Sequence, residues 1–196
     1  DLTGALGSAI SGTGTTNINE SFSTEKNITQ GTVNIASGKT LTNSATLTTN
    51  TSWSKLGTLK NTGTARIKGG TGTSARVNVG TVTDNSTATG SLTLKSGGYY
   101  NVDKTITQSS MTNAGNTTTA ALITANVTNS GTMSTGAGIT GNVTNSGTFT
   151  SGGAITGNVI NNASKSFTNN STISGTVDNS GTFANGNAAG DTISGA

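Results

Sequence analysis

Cysteine, histidine and proline are absent from this 196-residue chain. Without the first two there are no disulfides, no thiol chemistry, no zinc sites of the usual kinds and no His-based acid/base catalysis. Charge is scarce as well: ten basic and seven acidic side chains, a net +3, make up 9% of the residues. Five of the basic ones (Lys55, Lys60, Arg66, Lys68, Arg76) lie in one stretch with no acid among them, which reads as a solvated positive face. Nucleic-acid binding needs denser charge interleaved with aromatics, and aromatics are only 4% of the chain. No run approaches the roughly 20 apolar residues of a membrane span. The chain begins at Asp1 with no signal-like apolar run. That start fits a mature extracellular protein after removal of a signal peptide, or an excised fragment.

Hydrophobic residues reach only 29%, and Thr, Ser, Asn and Gly fill most of the remainder. Such low hydrophobicity usually means disorder, because too little apolar surface offsets the ordering entropy. Disordered chains, however, tend to be rich in charge and proline. A polar chain can still order if its backbone bonds and stacked side chains repeat, so internal repetition is the deciding property.

The repeat is open in the C-terminal half. Ile139-Thr-Gly-Asn-Val143-Thr-Asn-Ser-Gly-Thr-Phe149 returns as Ile155-Thr-Gly-Asn-Val159 with Phe167, and as Ile173-Ser-Gly-Thr-Val177 with Phe183. An earlier copy is Ile123-Thr-Ala-Asn-Val127 with Met133. Equivalent valines stand 16, 16 and 18 residues apart. Leu41-Thr-Asn-Ser-Ala-Thr-Leu47 and Leu59-Lys-Asn-Thr-Gly-Thr-Ala65 repeat the phrase more loosely. The series 41, 59, 77, 94, 111, 127, 143, 159, 177 then implies about ten coils, with Val82 offering a competing register to Val77.

Within each copy apolar and polar residues alternate with a period of two, the mark of a strand with one buried face. Asn-Ser-Gly steps supply turn chemistry, since Asn tolerates the left-handed region and Gly adopts it freely. A unit of 16–18 residues has room for two or three short strands and cannot bury its apolar face alone, whereas stacked units share a core. The expected fold is all-β: one parallel β-helix, or β-solenoid, over 17–196, with right-handed coils. Leu41, Leu59, Val127, Ile139, Val143, Phe149, Ile155, Val159, Phe167, Ile173, Val177 and Phe183 are expected to point inward. Asn43, Asn61, Asn113, Asn129, Asn145, Asn161 and Asn179 are expected to form one internal amide ladder.

The phrase Val-Thr-Asn-Ser-Gly-Thr-Phe with its Gly-rich spacer resembles the repeats of filamentous-haemagglutinin-type adhesins and autotransporter passenger domains, best over residues 111–196. That resemblance implies right-handed β-helices exported from Gram-negative bacteria for adhesion and self-association.

Residues 1–16 are small, apolar and Gly-rich, and read either as a flexible leader or as an arm that docks on a neighbouring subunit. The repeat runs through Thr192-Ile193-Ser-Gly-Ala196, and uncapped solenoid ends that dock head to tail give filaments. Leu2, Leu6, Ile10, Tyr99, Tyr100 and Ile193 are the candidate subunit contacts, the tyrosines also for a surface glycan. Trp53, 18 residues after Ile35, is expected in the core.

Catalysis or calcium binding in a β-helix would need acids paired one coil apart. Asp178 falls in line with Ile160 and Thr144, so no pair forms there, and no enzyme, metal or cofactor is expected. Outward pairs Thr132/Ser134, Thr148/Thr150, Ser166/Thr168 and Thr182/Ala184 form hydroxyl rows of the kind an ice-binding solenoid uses, although Thr is also simply a good exposed strand residue. Asn27, Asn85, Asn116, Asn126, Asn142 and Asn170 are among the Asn-x-Ser/Thr sequons, most of which an Asn/Thr-rich chain forms by chance. The expected function is a structural subunit of an extracellular surface or matrix filament, its partner a copy of itself. Attachment as a surface adhesin and ice binding are the alternatives.

Overall fold

Thr, Val and Ile at alternate positions favour pleated backbone, and among the described residues every regular element is a β-strand. The structure is a computed structural model. It describes residues 6–55, 58–61, 64–67, 77–79, 81–83, 90–186 and 193–195, with side chains at 6–50, 59, 79, 82 and 90–186. The chain coils as a parallel β-solenoid of about eight turns with about 17 residues per turn. At the parallel-strand spacing of about 4.8 Å, eight turns make a rod about 40 Å long.

Three strand columns run up the rod, and the registers of the first two are continuous. The first face stacks Phe22, Leu41, Leu59, Val82, Ile106, Ile123, Ile139, Ile155, Ile173 and Ile193. The second stacks Ile10, Ile28, Leu47, Ala65, Leu92, Met111, Val127, Val143, Val159 and Val177. The third pairs Thr16 with Val33 and Val33 with Trp53. It resumes with Val77, Tyr100, Thr117, Met133, Phe149, Phe167 and Phe183 on a separate seven-stranded sheet.

These registers correct the sequence reading in two ways. Leu41 and Leu59 belong to the first face, Val77 to the third, Leu94 to the column of Asn113, and Met111, Val127, Val143, Val159 and Val177 to the second, so the series from 41 to 177 mixes four columns. Between Leu41 and Val177 the nine positions of that series become eight rungs on each of the first two faces. The competing register is the one present: Leu59 pairs with Val82 and Val82 with Ile106, steps of 23 and 24 residues. Two long coils thus take up chain that even spacing divides into three.

The core is one cluster threaded along the axis. Leu41, Leu59, Val127, Ile139, Val143, Phe149, Ile155, Val159, Phe167 and Ile173 are buried in it, while Val177 and Phe183 are half-buried against its end. Phe149 and Phe167 stack with centroids 4.9 Å apart and 2° between planes, and Phe167 and Phe183 at 5.5 Å and 6°. The rings are thus nearly parallel from coil to coil. The side chain of Trp53 lies outside the described residues.

The corners are set by backbone proximity. From Ile139 to Val143 the chain turns within four residues, and Gly141 sits at the bend with φ of 142°. A Cβ there would collide with the carbonyl oxygen of Ala125 one coil below. Only glycine tolerates both the angle and the approach.

The solenoid also starts before residue 17. Ile10 and Ser11 pair with Ile28 and Thr29, and Thr15 to Ile18 pair with Thr32 to Ile35. Ile10 and Thr16 supply the rungs on which Ile28 and Val33 stack, so this segment is built into the sheet and is not a free leader.

Candidate functional site

A buried amide is stable only if its donors and acceptor are matched. At the corner between the second and third faces, asparagine recurs two residues after the inward valine and meets its own kind. Nδ2 of Asn113 donates to Oδ1 of Asn129, Asn129 to Asn145, Asn145 to Asn161 and Asn161 to Asn179, each at 2.8 Å. Each Nδ2 is also directed at carbonyls of its own and the next coil, as Asn129 is to Gly131 O (3.2 Å) and Thr148 O (3.0 Å). The ladder starts closed: Oδ1 of Asn113 accepts from the Thr117 hydroxyl (2.8 Å) and the Gly115 amide (3.2 Å). Asn113, Asn129, Asn145 and Asn161 are fully buried, and Asn179 is exposed.

Asn43 and Asn61 are not part of this ladder. They pair in register with each other at the other corner, between the first and second faces. Nδ2 of Asn43 donates to Ala45 O at 3.0 Å, and the Asn61 side chain lies outside the described residues. The local phrase is the same in both places, but a different corner turns there.

A second polar column at the third-to-first corner escapes the sequence reading. Thr119, Thr135, Ser151, Asn169 and Asn185 stack one coil apart. Asn169 Nδ2 donates to Asn185 Oδ1 at 2.8 Å, and the Ser151 hydroxyl donates to Gly153 O at 2.7 Å. Asn169 is fully buried, yet its Oδ1 has no hydrogen-bond partner. The signal was present as Asn two residues after Phe167 and again after Phe183. A further pair, Asn34 donating to Asn17 at 2.8 Å, joins the first coils.

On the outer side of the third face the hydroxyls line up in two rows. Thr132, Thr148, Ser166 and Thr182 stack in one, and Ser134, Thr150, Thr168 and Ala184 in the other. Asn116 and Thr118 continue both rows one coil below. No Asp, Glu, Lys or Arg occurs between residues 105 and 164, so the longest part of this face is uncharged.

The candidate contact residues are not brought together. Tyr100 is fully buried and its hydroxyl donates to Lys95 O at 2.7 Å, which removes it as a surface contact. Alternation turns Tyr99 the other way, where it is half-buried. Leu6 packs half-buried against the core, Ile10 is half-buried in its strand, and Ile193 pairs with Ile173 at the opposite end. Leu2 and the Ile193 side chain lie outside the described residues.

Carboxylates are dispersed. Asp178 stacks in line with Ile160 and Thr144. Among the described residues no three His, Cys, Asp or Glu side chains group together. Glu20 instead pairs with Lys39 at 2.8 Å on the surface. A hollow of about 200 Å³ lies beside Asn101, Asp103 and Thr118, and one of about 370 Å³ beside Leu6, Glu25 and Lys26. Among the described residues no helix is long and apolar enough to cross a membrane. No family model, curated protein or solved structure matches the chain.

Proposed function

We infer that the protein is a structural rod of the cell exterior, a subunit of a surface or matrix filament that extends by stacking coil on coil. One observation carries this reading. Successive C-terminal coils repeat nearly the same interface, Val127/Asn129/Met133 on Val143/Asn145/Phe149 on Val159/Asn161/Phe167 on Val177/Asn179/Phe183. An interface that repeats along one chain is available to a second copy in the same terms, and a head-to-tail contact that does not close gives a fibre. The likeness of the Val-Thr-Asn-Ser-Gly-Thr-Phe phrase to filamentous-haemagglutinin-type adhesins supports export and self-association, with adhesion as a neighbouring role of the same rod. The reading assigns no catalytic step and no cofactor.

The test is negative-stain electron microscopy over a range of protein concentration, with and without residues 1–9. Filaments many times longer than the rod, lengthening with concentration, are expected. Isolated rods of about 40 Å at every concentration would overturn the proposal.

The paired hydroxyl rows favour a second reading, ice binding. Rows at strand spacing, on a face free of charge between residues 105 and 164, offer a regular lattice for ordered water. A measurement of freezing-point hysteresis decides it: an inert protein removes this reading and leaves the rod.

A further inference from the structure

The corner between the first and second faces carries an outward feature that neither the amide ladder nor the hydroxyl rows use. Asparagine stands immediately before the second-face residue in four coils: Asn27 before Ile28, Asn126 before Val127, Asn142 before Val143 and Asn158 before Val159. All four are exposed. In each, the side-chain oxygen is tied to the next coil. Oδ1 accepts from the backbone amide of Thr46 (3.1 Å), Asn142 (3.0 Å), Asn158 (2.8 Å) and Thr176 (3.0 Å), respectively. This contact accounts for asparagine at the corner. It also leaves Nδ2 with no bond inside the described protein.

The corner contact does not explain the threonine that stands two positions further along. Asn27, Asn126 and Asn142 are succeeded on the same outward side of the strand by Thr29, Thr128 and Thr144. These threonines lie in the column that continues as Ile160, which is 43% exposed behind Asn158. Asn-x-Thr with a non-proline centre is the acceptor pattern for N-linked sugar. Asn126 and Asn142 share this position as copies of one repeat, whereas Asn27 arrives at it from outside that repeat. Three of the ten in this chain fall on one column with one anchoring bond.

We propose that Asn27, Asn126 and Asn142 are N-glycosylation acceptors for a sugar activated as a phosphate ester. Nδ2 bonds to the anomeric carbon of the sugar. The bond from that carbon to the donor's phosphate oxygen breaks, and its electron pair leaves on the phosphate. Nδ2 gives up one proton to a base of the transferring enzyme. The step consumes an N–H and spares Oδ1, so the bond that holds the corner survives and the coil accepts the sugar without refolding. Asn126 and Asn142 stand one coil apart, about 4.8 Å, so sugars on both lie in contact. A single residue or an unbranched chain fits there, and a branched one does not. The inference does not rest on filament assembly.

Peptide mapping by mass spectrometry of the protein from its own producing cells is the test. Sugar increments on Asn27, Asn126 and Asn142, and none on Asn158, are expected. A one-sugar increment indicates a nucleotide-linked donor, and a preassembled oligosaccharide a lipid-linked one. Thr144→Val should abolish the increment on Asn142 alone, and Ile160→Thr should create one on Asn158. Both changes lie on the outer surface, so the fold is retained. Unmodified peptides at all three sites, or equal modification of Asn158 in the native chain, would overturn the proposal.

Discussion

The coils before Leu59 and those after Ile106 enclose the same kind of core but turn at different corners. In the early coils the passage from first to second face takes six residues, as from Leu41 to Leu47, and holds Thr24, Asn43 and Asn61 at its bend. In the later coils that passage shrinks to four residues around Gly141. The polar bend moves to the next corner, where Asn113 through Asn179 meet. Charge follows the same divide, because nine of the ten basic residues lie before residue 105. The early coils carry a surface ion pair, Lys39–Glu20, and an amide pair, Asn34–Asn17. The later coils carry an unbroken ladder. The ladder even runs through the corner after Asn161, which reaches Phe167 in six residues where Asn145 reaches Phe149 in four.

The comparison breaks most visibly at Phe167. Phe167→Ala removes the fully buried middle ring of the stack and should cost about 3–5 kcal/mol. Hydrogen exchange should then quicken in the coils around it while the coils before Leu59 keep their protection. Asn145→Ala should cost about 2–4 kcal/mol, since it strands the donor of Asn129 and the acceptor of Asn161 in a dry interior. Asn34→Ala, at the half-buried early pair, should cost about 1 kcal/mol, measured by the same exchange experiment. Equal losses at the two sites would show that the ladder contributes no more than an isolated pair.

Ser151→Asn sharpens the contrast in the other direction. An amide at that position can donate to the unpaired Oδ1 of Asn169, as Asn145 does to Asn161, and should add about 1 kcal/mol. The denaturant midpoint should rise, and an unchanged midpoint would mean that Asn169 is already satisfied. The smallest effect is expected at Lys39→Ala. The pair is largely exposed, so the loss should stay below about 1 kcal/mol and vanish in high salt.

Much of this was legible in the chain. The period-two alternation and the 16-residue phrase fixed strands, the parallel stack and the C-terminal ladder from Asn113 onward. The corner on which a phrase falls was not legible, because Leu41-Thr-Asn and Val143-Thr-Asn have the same local chemistry. What separates them is the number of residues to the next bend, and that is read only against a neighbouring coil. Val82 was ambiguous for the same reason, since the coils on either side of it are long. Tyr100 follows a Ser-Gly-Gly turn, which locally suggests exposure. That turn does precede a strand, but strand alternation sends Tyr99 outward and Tyr100 into the core, where its hydroxyl reaches a backbone carbonyl. Asn169 and Asn185 went unnoticed because they occupy a column that begins as Thr119 and Thr135.

The amide ladder also has a direction. From Asn113 to Asn161 every Nδ2 points toward the C-terminal coils and every Oδ1 back toward the N-terminal ones. Asn169 points the same way. The exposed corner amides oppose it: Oδ1 of Asn126, Asn142 and Asn158 faces the C-terminal coils, where it accepts from the next backbone amide. Buried and exposed amides thus run in opposite senses along the axis, and their dipoles offset one another. The wall of the rod is polarised between its inside and its outside, while the rod as a whole keeps little electrical direction from its side chains.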